Sequence, residues 1–152
     1  MESFQIRSQA ILSNRPKDQV IAEMRGKGLR ITSQRDAILD YLLSTDEHPS
    51  ARSILDHVKK KVPRICLSTV YSTLAELSKY NIIKELSFDN MDNRYEGNVS
   101  HHINLICVRC GKISDYLTDH ILDMDKIRQT TRFRPLQSRF ELSGVCGRCS
   151  NR

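Results

Sequence analysis

Cys107-Val108-Arg109-Cys110 and Cys146-Gly147-Arg148-Cys149 are the two stretches around which this 152-residue chain is organised. They hold four of its five cysteines. Two residues between cysteines let both thiolates of a couplet turn toward one point on a tight knuckle. Two couplets then supply the tetrahedral sulfur shell of a structural Zn²⁺, with Zn–S bonds of about 2.3 Å. The intervening residues 111–145 exceed the spacer of a simple zinc ribbon. A small subdomain must therefore fold inside the loop that the metal closes, and metal binding adds folding free energy directly. Other uses of the cysteines fit less well. No secretory leader is read at the start of the chain, so a reducing cytoplasmic setting is expected and paired disulfides are not. A CxxC redox centre needs only one couplet. A rubredoxin-type iron or an iron–sulfur cluster takes the same four ligands, and spacing alone does not separate these from zinc. The fifth cysteine, Cys66, lies between Ile65 and Leu67 and reads as a small buried hydrophobe.

Charged residues make up 28% of the chain and hydrophobic ones 39%, as in a soluble globular protein. No apolar run approaches the 18 or so residues that would span a membrane. The net charge of +6 permits nucleic-acid binding without requiring it. Residues 1–97 carry 15 basic and 13 acidic side chains, and 98–152 carry 9 and 5. A basic DNA-facing surface must therefore come from local placement, such as Lys59-Lys60-Lys61 and Arg64.

Residues 1–15 are polar, without a clear period, and read as a loosely held arm. Pro16 opens a first helix with Val20, Ile21 and Met24 as its apolar stripe, ended by Gly26 and Gly28. Thr32 or Ser33 caps a second, with Ala37, Ile38, Tyr41 and Leu42 inward. Pro49 biases His48 toward an extended or turn conformation. Ser50 caps a third helix carrying Ile54, Leu55, Val58 and Val62, which Pro63 stops. A fourth runs from about Leu67 to Tyr80 on the stripe Leu67, Val70, Leu74 and Leu77. Its other face begins with Ser68, Thr69, Ser72 and Thr73, short polar side chains that allow close approach to a phosphate backbone or base edges. Strand signals at residues 82–88 and 94–96, with a turn at 89–93, complete a winged helix-turn-helix.

From residue 98 the pattern turns to strands. Ile103, Leu105 and Cys107 alternate with His102, Asn104 and Ile106. Asp115 shares parity with Ile113 and Leu117. A helix is expected over 119–131, with Ile121, Leu122 and Ile127 apolar, then a strand through Leu136, Phe140 and Leu142 into the second couplet. The predicted fold is α+β: an N-terminal winged helix-turn-helix domain and a small C-terminal α/β dimerisation domain with a structural zinc. The divisions are an arm at 1–15, a DNA-binding domain at 16–97 and a metal-clipped domain at 98–152. So thin a core predicts oligomerisation.

The residues before the first couplet read either as ordinary surface polar groups or as part of a second metal site. On a strand, His102 and Asn104 point to one face and His101 to the other. Asp115 on the next strand can reach that face, and Glu96 and His48 can complete a shell. Two imidazoles, two carboxylates and an amide oxygen suit Fe²⁺, Mn²⁺ or Zn²⁺.

The chain as a whole resembles the ferric uptake regulator (Fur) superfamily from about residue 16 to 150. The resemblance rests on Gly28-Leu29-Arg30-Ile31-Thr32-Ser33-Gln34-Arg35, Ala37-Ile38-Leu39, His48-Pro49-Ser50-Ala51 and Ser68-Thr69-Val70-Tyr71. It continues through Cys107-Val108-Arg109-Cys110-Gly111-Lys112-Ile113 and Gly144-Val145-Cys146-Gly147-Arg148-Cys149. It implies a homodimeric, metal-dependent transcription repressor, not an enzyme, that binds A/T-rich palindromic duplex DNA. By that resemblance Cys107, Cys110, Cys146 and Cys149 hold structural Zn²⁺. His48, Glu96, His102, Asn104 and Asp115 hold a regulatory Fe²⁺ or Mn²⁺. DNA contacts are expected from Arg35, Ser68, Thr69, Tyr71, Ser72 and Thr73.

Two departures stand out. Asn104 occupies the place of a third histidine, and a carboxylate needed for the family's additional site is replaced by Ile103, so His101 is not read as a ligand. Asp36-Ala37-Ile38-Leu39-Asp40-Tyr41-Leu42 and Ile83-Lys84-Glu85-Leu86 are similar to the peroxide-sensing PerR branch, in which Fe²⁺ reacts with peroxide and ligand histidines are oxidised. Glu96 stands where peroxide sensors place Asp, as in metal sensors. An iron or zinc uptake regulator without peroxide sensing is the alternative. A metalloenzyme is disfavoured, because no nucleophile–base pair or metalloprotease motif occurs. The polar face of the fourth helix argues against a zinc-clipped protein adaptor.

Overall fold

The computed structural model describes residues 15–88, 91–117, 122–136 and 138–151. They form two compact units, and the chain passes from one to the other between Val99 and Ser100. The expected arm (apart from Arg15), the tip of the predicted turn at 89–90 and the start of the predicted helix at 119–121 lie outside the described residues.

The N-terminal unit contains α1 (Lys17–Gly26), α2 (Ser33–Ser44), α3 (Ala51–Val58), α4 (Leu67–Lys79) and a hairpin of β1 (Lys84–Leu86) and β2 (Arg94–Glu96). Local chemistry sets the helix starts. Thr32 accepts from the Arg35 N–H at the head of α2, and Ser50 accepts from the Ser53 N–H at the head of α3. Gly28, at φ +76°, turns the chain after α1. α3 ends at Val58, a turn earlier than its stripe suggested, and the Val62 N–H bonds the Val58 carbonyl as the chain leaves the helix. The helices bury one apolar cluster built on Val20, Met24, Ile38, Leu42, Ile54, Leu74 and Leu77, joined by Ile82 and Ile83. Each such side chain contributes about 1.5–3 kcal/mol. The helix-turn-helix of α3 and α4 is thus fixed from behind, and the hairpin follows it as the wing.

The wing is tied to the loop before α3. The Tyr95 N–H donates to the Pro49 carbonyl at 3.0 Å, and Ser50 bridges Arg94. Past the wing the backbone at Gly97 runs against α2. A Cβ there would stand 2.7 Å from the Leu42 carbonyl oxygen and 3.1 Å from its carbon. The obstacle is helix backbone, which cannot rotate away, so only glycine fits.

The C-terminal unit contains β3 (Ile103–Cys107), β4 (Ile113–Tyr116), α5 (Met124–Thr131), β5 (Glu141–Gly144) and the single turn α6 (Gly147–Ser150). The sheet order is β4-β3-β5, with β4 antiparallel and β5 parallel to β3. A parallel neighbour requires a crossover, and the segment carrying α5 supplies it. Asp123 caps α5 by accepting from the Lys126 N–H at 2.9 Å. The helix starts at Met124, so Leu122 precedes it and is exposed, contrary to the expected 119–131 span. The fold class is α+β, with a helical, winged N-terminal unit and a C-terminal sheet.

The packing of β3 inverts the usual rule. His102, Asn104, Ile106 and Cys107 are buried, whereas Leu105 is 38% exposed. Ile103 and Leu105 share a face with their cross-strand neighbours Tyr116 and Leu142, and the latter two are exposed as well.

Gly97→Ala is expected to destabilise the N-terminal unit by about 1–3 kcal/mol, the range for overpacking against an unyielding neighbour. Urea denaturation followed by circular dichroism would measure it, and an unchanged midpoint would show that the close approach relaxes freely.

Candidate metal centres and nucleic-acid interface

The first couplet sits where β3 ends. The Gly111 N–H bonds the Cys107 carbonyl, and Gly111 adopts φ +68° to close the knuckle. The Val108 N–H bonds the Gly144 carbonyl at 2.8 Å, which fixes this knuckle to the end of β5. The second couplet follows at once, with Cys146 preceding α6 and Cys149 inside it. The Arg109 guanidinium donates to the Cys149 carbonyl at 2.7 Å and satisfies an end group of that turn. All four sulfurs lie within 4.8 Å of one another, and Cys110 Sγ is 3.8 Å from Cys146 Sγ. A regular tetrahedron with bonds of about 2.3 Å has edges of about 3.8 Å. The cluster therefore fits structural zinc.

Its protonation supports the same conclusion. The Cys146 N–H donates to Cys107 Sγ at 3.3 Å, and with the Cys110 N–H it lowers the Cys107 thiol to about 6. The Cys149 N–H likewise lowers Cys146. Cys149, crowded by the Cys146 and Cys110 sulfurs, is pushed up to about 12. Without a cation the cluster resists full ionisation; a divalent ion is what lets four thiolates share one point.

The oxygen- and nitrogen-bearing residues fall into two groups, one in each unit. In the N-terminal unit the Pro49–Tyr95 bond and the Ser50–Arg94 bridge bring the loop alongside β2, so His48 Nε2 lies 2.8 Å from Glu96 Oε2. Both side chains are buried, at 3% and 5% exposure. Lys84 Nζ stands 3.8 Å from the other Glu96 oxygen. Of the extended or turn conformations that the following proline suggested, His48 does not take the extended one. It sits at φ +51°, a left-handed conformation that costs a non-glycine residue about 1 kcal/mol or more and clusters at functional sites.

In the C-terminal unit Asn104 pairs with Asp115 across β3 and β4, so their side chains share a face. His102, two residues earlier, points the same way. Its Nδ1–H donates to the Ser100 carbonyl at 2.9 Å, which leaves the lone pair on Nε2, the tautomer of a metal-ligating imidazole. Asn104 is 3% exposed, and among the described residues nothing donates to its Oδ1. A buried acceptor left this way costs about 1–3 kcal/mol unless a cation or donor supplies the missing contact. These residues fit an N/O-ligated divalent cation. His101 is exposed, apart from this face.

On α4, Ser68, Tyr71 and Ser72 are exposed and Thr69 is half-buried. One expected contact changes. Thr73 is buried on the stripe of Val70, Leu74 and Leu77, because three residues beyond Val70 is the same side of a helix. Arg35 is engaged within its own unit: its guanidinium bonds the Arg30 carbonyl at 2.8 Å and ion-pairs with Glu76, joining α2 to α4. Cys66 is a further correction. It is exposed at the head of α4, where Ser68 and Thr69 hydroxyls, each 3.1 Å from sulfur, lower its thiol to about 7. Lys59, Lys60 and Arg64 are exposed in the preceding turn, whereas Lys61 reaches Asp40 at 3.4 Å. Among the described residues no helix is long and apolar enough to cross a membrane.

Cys110→Ser is expected to abolish stoichiometric zinc and destabilise the C-terminal unit by roughly 4 kcal/mol or more, as loss of a structural metal does. A colorimetric zinc assay paired with thermal melting would check it. One retained zinc per chain with an unchanged melt would remove Cys110 from the ligand set.

Residues 26–143 match the ferric uptake regulator family. A peroxide-responsive repressor, PerR, from Staphylococcus epidermidis is 35% identical over 133 residues, covering 87% of this chain and 89% of that protein. The structure of the Helicobacter pylori ferric uptake regulator Fur, described as having three functional metal binding sites, aligns with a TM-score of 0.70 over 88% of this chain and 91% of that one. At 24% identity this likeness establishes the fold. The structure of PerR from Streptococcus pyogenes aligns at 30% identity over 97% of this chain and 98% of that one, with a TM-score of 0.51. The chain belongs to the ferric uptake regulator family.

Proposed function

We propose that the protein is a dimeric, metal-gated repressor whose affinity for DNA is set by Fe²⁺ or Mn²⁺ held by His48, Glu96, His102, Asn104 and Asp115. The observation that carries this reading is the burial of ligand-type side chains in both units, above all Asn104 Oδ1, an acceptor with no donor among the described residues. Ordinary surface polar groups would face water. When bound, the cation supplies charge that joins carboxylates to neutral imidazole and amide donors. The chain does the rest. His48 and Glu96 belong to the DNA-binding part, residues 16–97, and His102, Asn104 and Asp115 to the dimerisation part, residues 98–152. Holding both sets on one point selects one arrangement of the two parts, and a ligand shifts an equilibrium by its differential affinity for the two states.

In that arrangement the α4 helices of a dimer enter successive major grooves of an A/T-rich palindrome, with Ser68, Thr69, Tyr71 and Ser72 against the duplex. Lys59, Lys60 and Arg64 supply charge for the phosphates. The apolar sheet face of Ile103, Leu105, Tyr116 and Leu142 provides the surface for a second copy. The protein would work in the cytoplasm, and binding rather than turnover is its activity.

Two branches follow. The PerR relatives are peroxide-responsive repressors, which favours peroxide sensing through Fe²⁺ and oxidation of His48 or His102. Glu96 favours a metal sensor instead. Loss of DNA binding after peroxide treatment of the Fe²⁺ form, but not of the Mn²⁺ form, would identify the first.

Fluorescence anisotropy with an A/T-rich palindromic duplex at fixed salt tests the gating itself. Mn²⁺ is expected to tighten binding at least about tenfold, a coupling of about 1.4 kcal/mol. His102→Ala should lose that response while keeping its zinc. If the variant responds to Mn²⁺ as the parent does, the ligand assignment fails.

A further inference from the structure

We propose that Asn104 tunes the ion preference of the regulatory site, binding through Oδ1 and shifting that preference from Zn²⁺ toward oxygen-preferring cations such as Mn²⁺. The inference rests on the metal-gated reading above and goes further by naming which residue discriminates between ions. Asn104 lies on β3 between two strands, opposite Asp115 on one side and Glu141 on the other. Its side chain shares the buried face with His102 and Ile106 and is almost wholly removed from water. A strand position in the middle of a sheet fixes the face to which this side chain points, the one it shares with Asp115. Such a position ordinarily takes an apolar residue, as the neighbouring Ile106 does. The chain instead places there a carboxamide whose oxygen accepts from no described donor.

The chemistry of that oxygen is selective. A carboxamide oxygen is hard and uncharged. With Asp115 and Glu96 it makes the donor set richer in oxygen than in nitrogen. Affinity at N/O sites rises from Mn²⁺ and Fe²⁺ toward Zn²⁺, and imidazole nitrogen supports Zn²⁺ well, whereas carboxylate and carbonyl oxygens suit Mn²⁺. An amide oxygen at this point withholds one nitrogen from Zn²⁺ and leaves Mn²⁺ a donor it accepts. The same protein carries a thiolate cluster suited to zinc, and thiolates select Zn²⁺ strongly. Oxygen ligation at the second site lets one chain hold different ions at its two sites.

The test uses the full chain with one zinc per chain retained at the cysteines. Mn²⁺ affinity is measured from the free-ion signal in electron paramagnetic resonance. Affinity for a second Zn²⁺ is measured by competition with a chromophoric chelator. Asn104→His is expected to raise the Zn²⁺-to-Mn²⁺ affinity ratio about tenfold or more, and Asn104→Ala to weaken Mn²⁺ binding by about 10–100-fold. Far-ultraviolet circular dichroism and retained cysteine-bound zinc certify that each variant folds. His102→Ala, measured alongside, separates the two claims. If it loses Mn²⁺ while both Asn104 variants keep the parent's affinities and ratio, the regulatory site stands and the role of Asn104 is overturned. If it too binds Mn²⁺ as the parent does, the regulatory reading falls and this inference with it.

Discussion

The four thiols gathered between the ends of β3 and β5 are what the C-terminal unit depends on, because its apolar core cannot hold it alone. Among the described residues of that unit only Ile106, Cys107 and Ile113 are buried apolar side chains, and α5 buries none. Ordering a chain of this length costs more than three such side chains can return. The clip works where the topology most needs it. β5 is parallel to β3 and arrives only after a long crossover, a pairing that nothing local enforces. Joining the end of β3 to Cys146, two residues past β5, through sulfur, and again through Val108 to Gly144, fixes that register.

The second constraint is the inverted face of the same sheet. Burying His102 and Asn104 while exposing Leu105, Tyr116 and Leu142 makes little sense for an isolated monomer. Exposed contiguous apolar surface marks an interaction face, and buried polar groups demand partners. Both features are explained if the apolar side meets a second copy and the polar side holds a cation. The two proposed functions of the unit thus occupy opposite faces of one three-stranded sheet, and the period of two along β3 separates them.

Much of this was legible in the sequence. The doubled CxxC spacing carried the four-sulfur site, although not the choice of zinc over iron, because two couplets turn their thiolates to one point. The helix starts at Thr32 and Ser50 were readable because a capping side chain acts locally. What failed was tertiary. Cys66 was read as buried from its neighbours Ile65 and Leu67, but it sits at the head of α4, where the chain turns outward. Thr73 was assigned to the exposed face by its polarity, although helical phase puts it beside Val70 and Leu74. Arg35 gave no sign that Glu76, 41 positions away, would claim it. The left-handed backbone at His48 was equally hidden, since it answers to β2 rather than to Pro49. The close approach at Gly97 also depends on where α2 passes and left no pattern to read.

The same comparison explains why one metal would be structural and the other regulatory. His48 Nε2 and Glu96 Oε2 already pair at 2.8 Å, and Lys84 lies close enough to temper the buried carboxylate. A buried charge that is paired costs far less than one left alone, so the N-terminal unit holds together without a cation. An ion arriving there would replace an existing hydrogen bond, and its net effect would be the difference between the paired and the ligated state. Such a difference is small enough to be reversed by changes in ion supply. The cysteine cluster has no equivalent internal substitute. Its sulfurs crowd one another, with Cys149 driven up to about 12, and only a cation relieves all four at once. Binding there adds to folding itself and is not readily given up. A stand-in partner would therefore suit the first site to a switch, and the lack of one makes the second a fixed part of the fold.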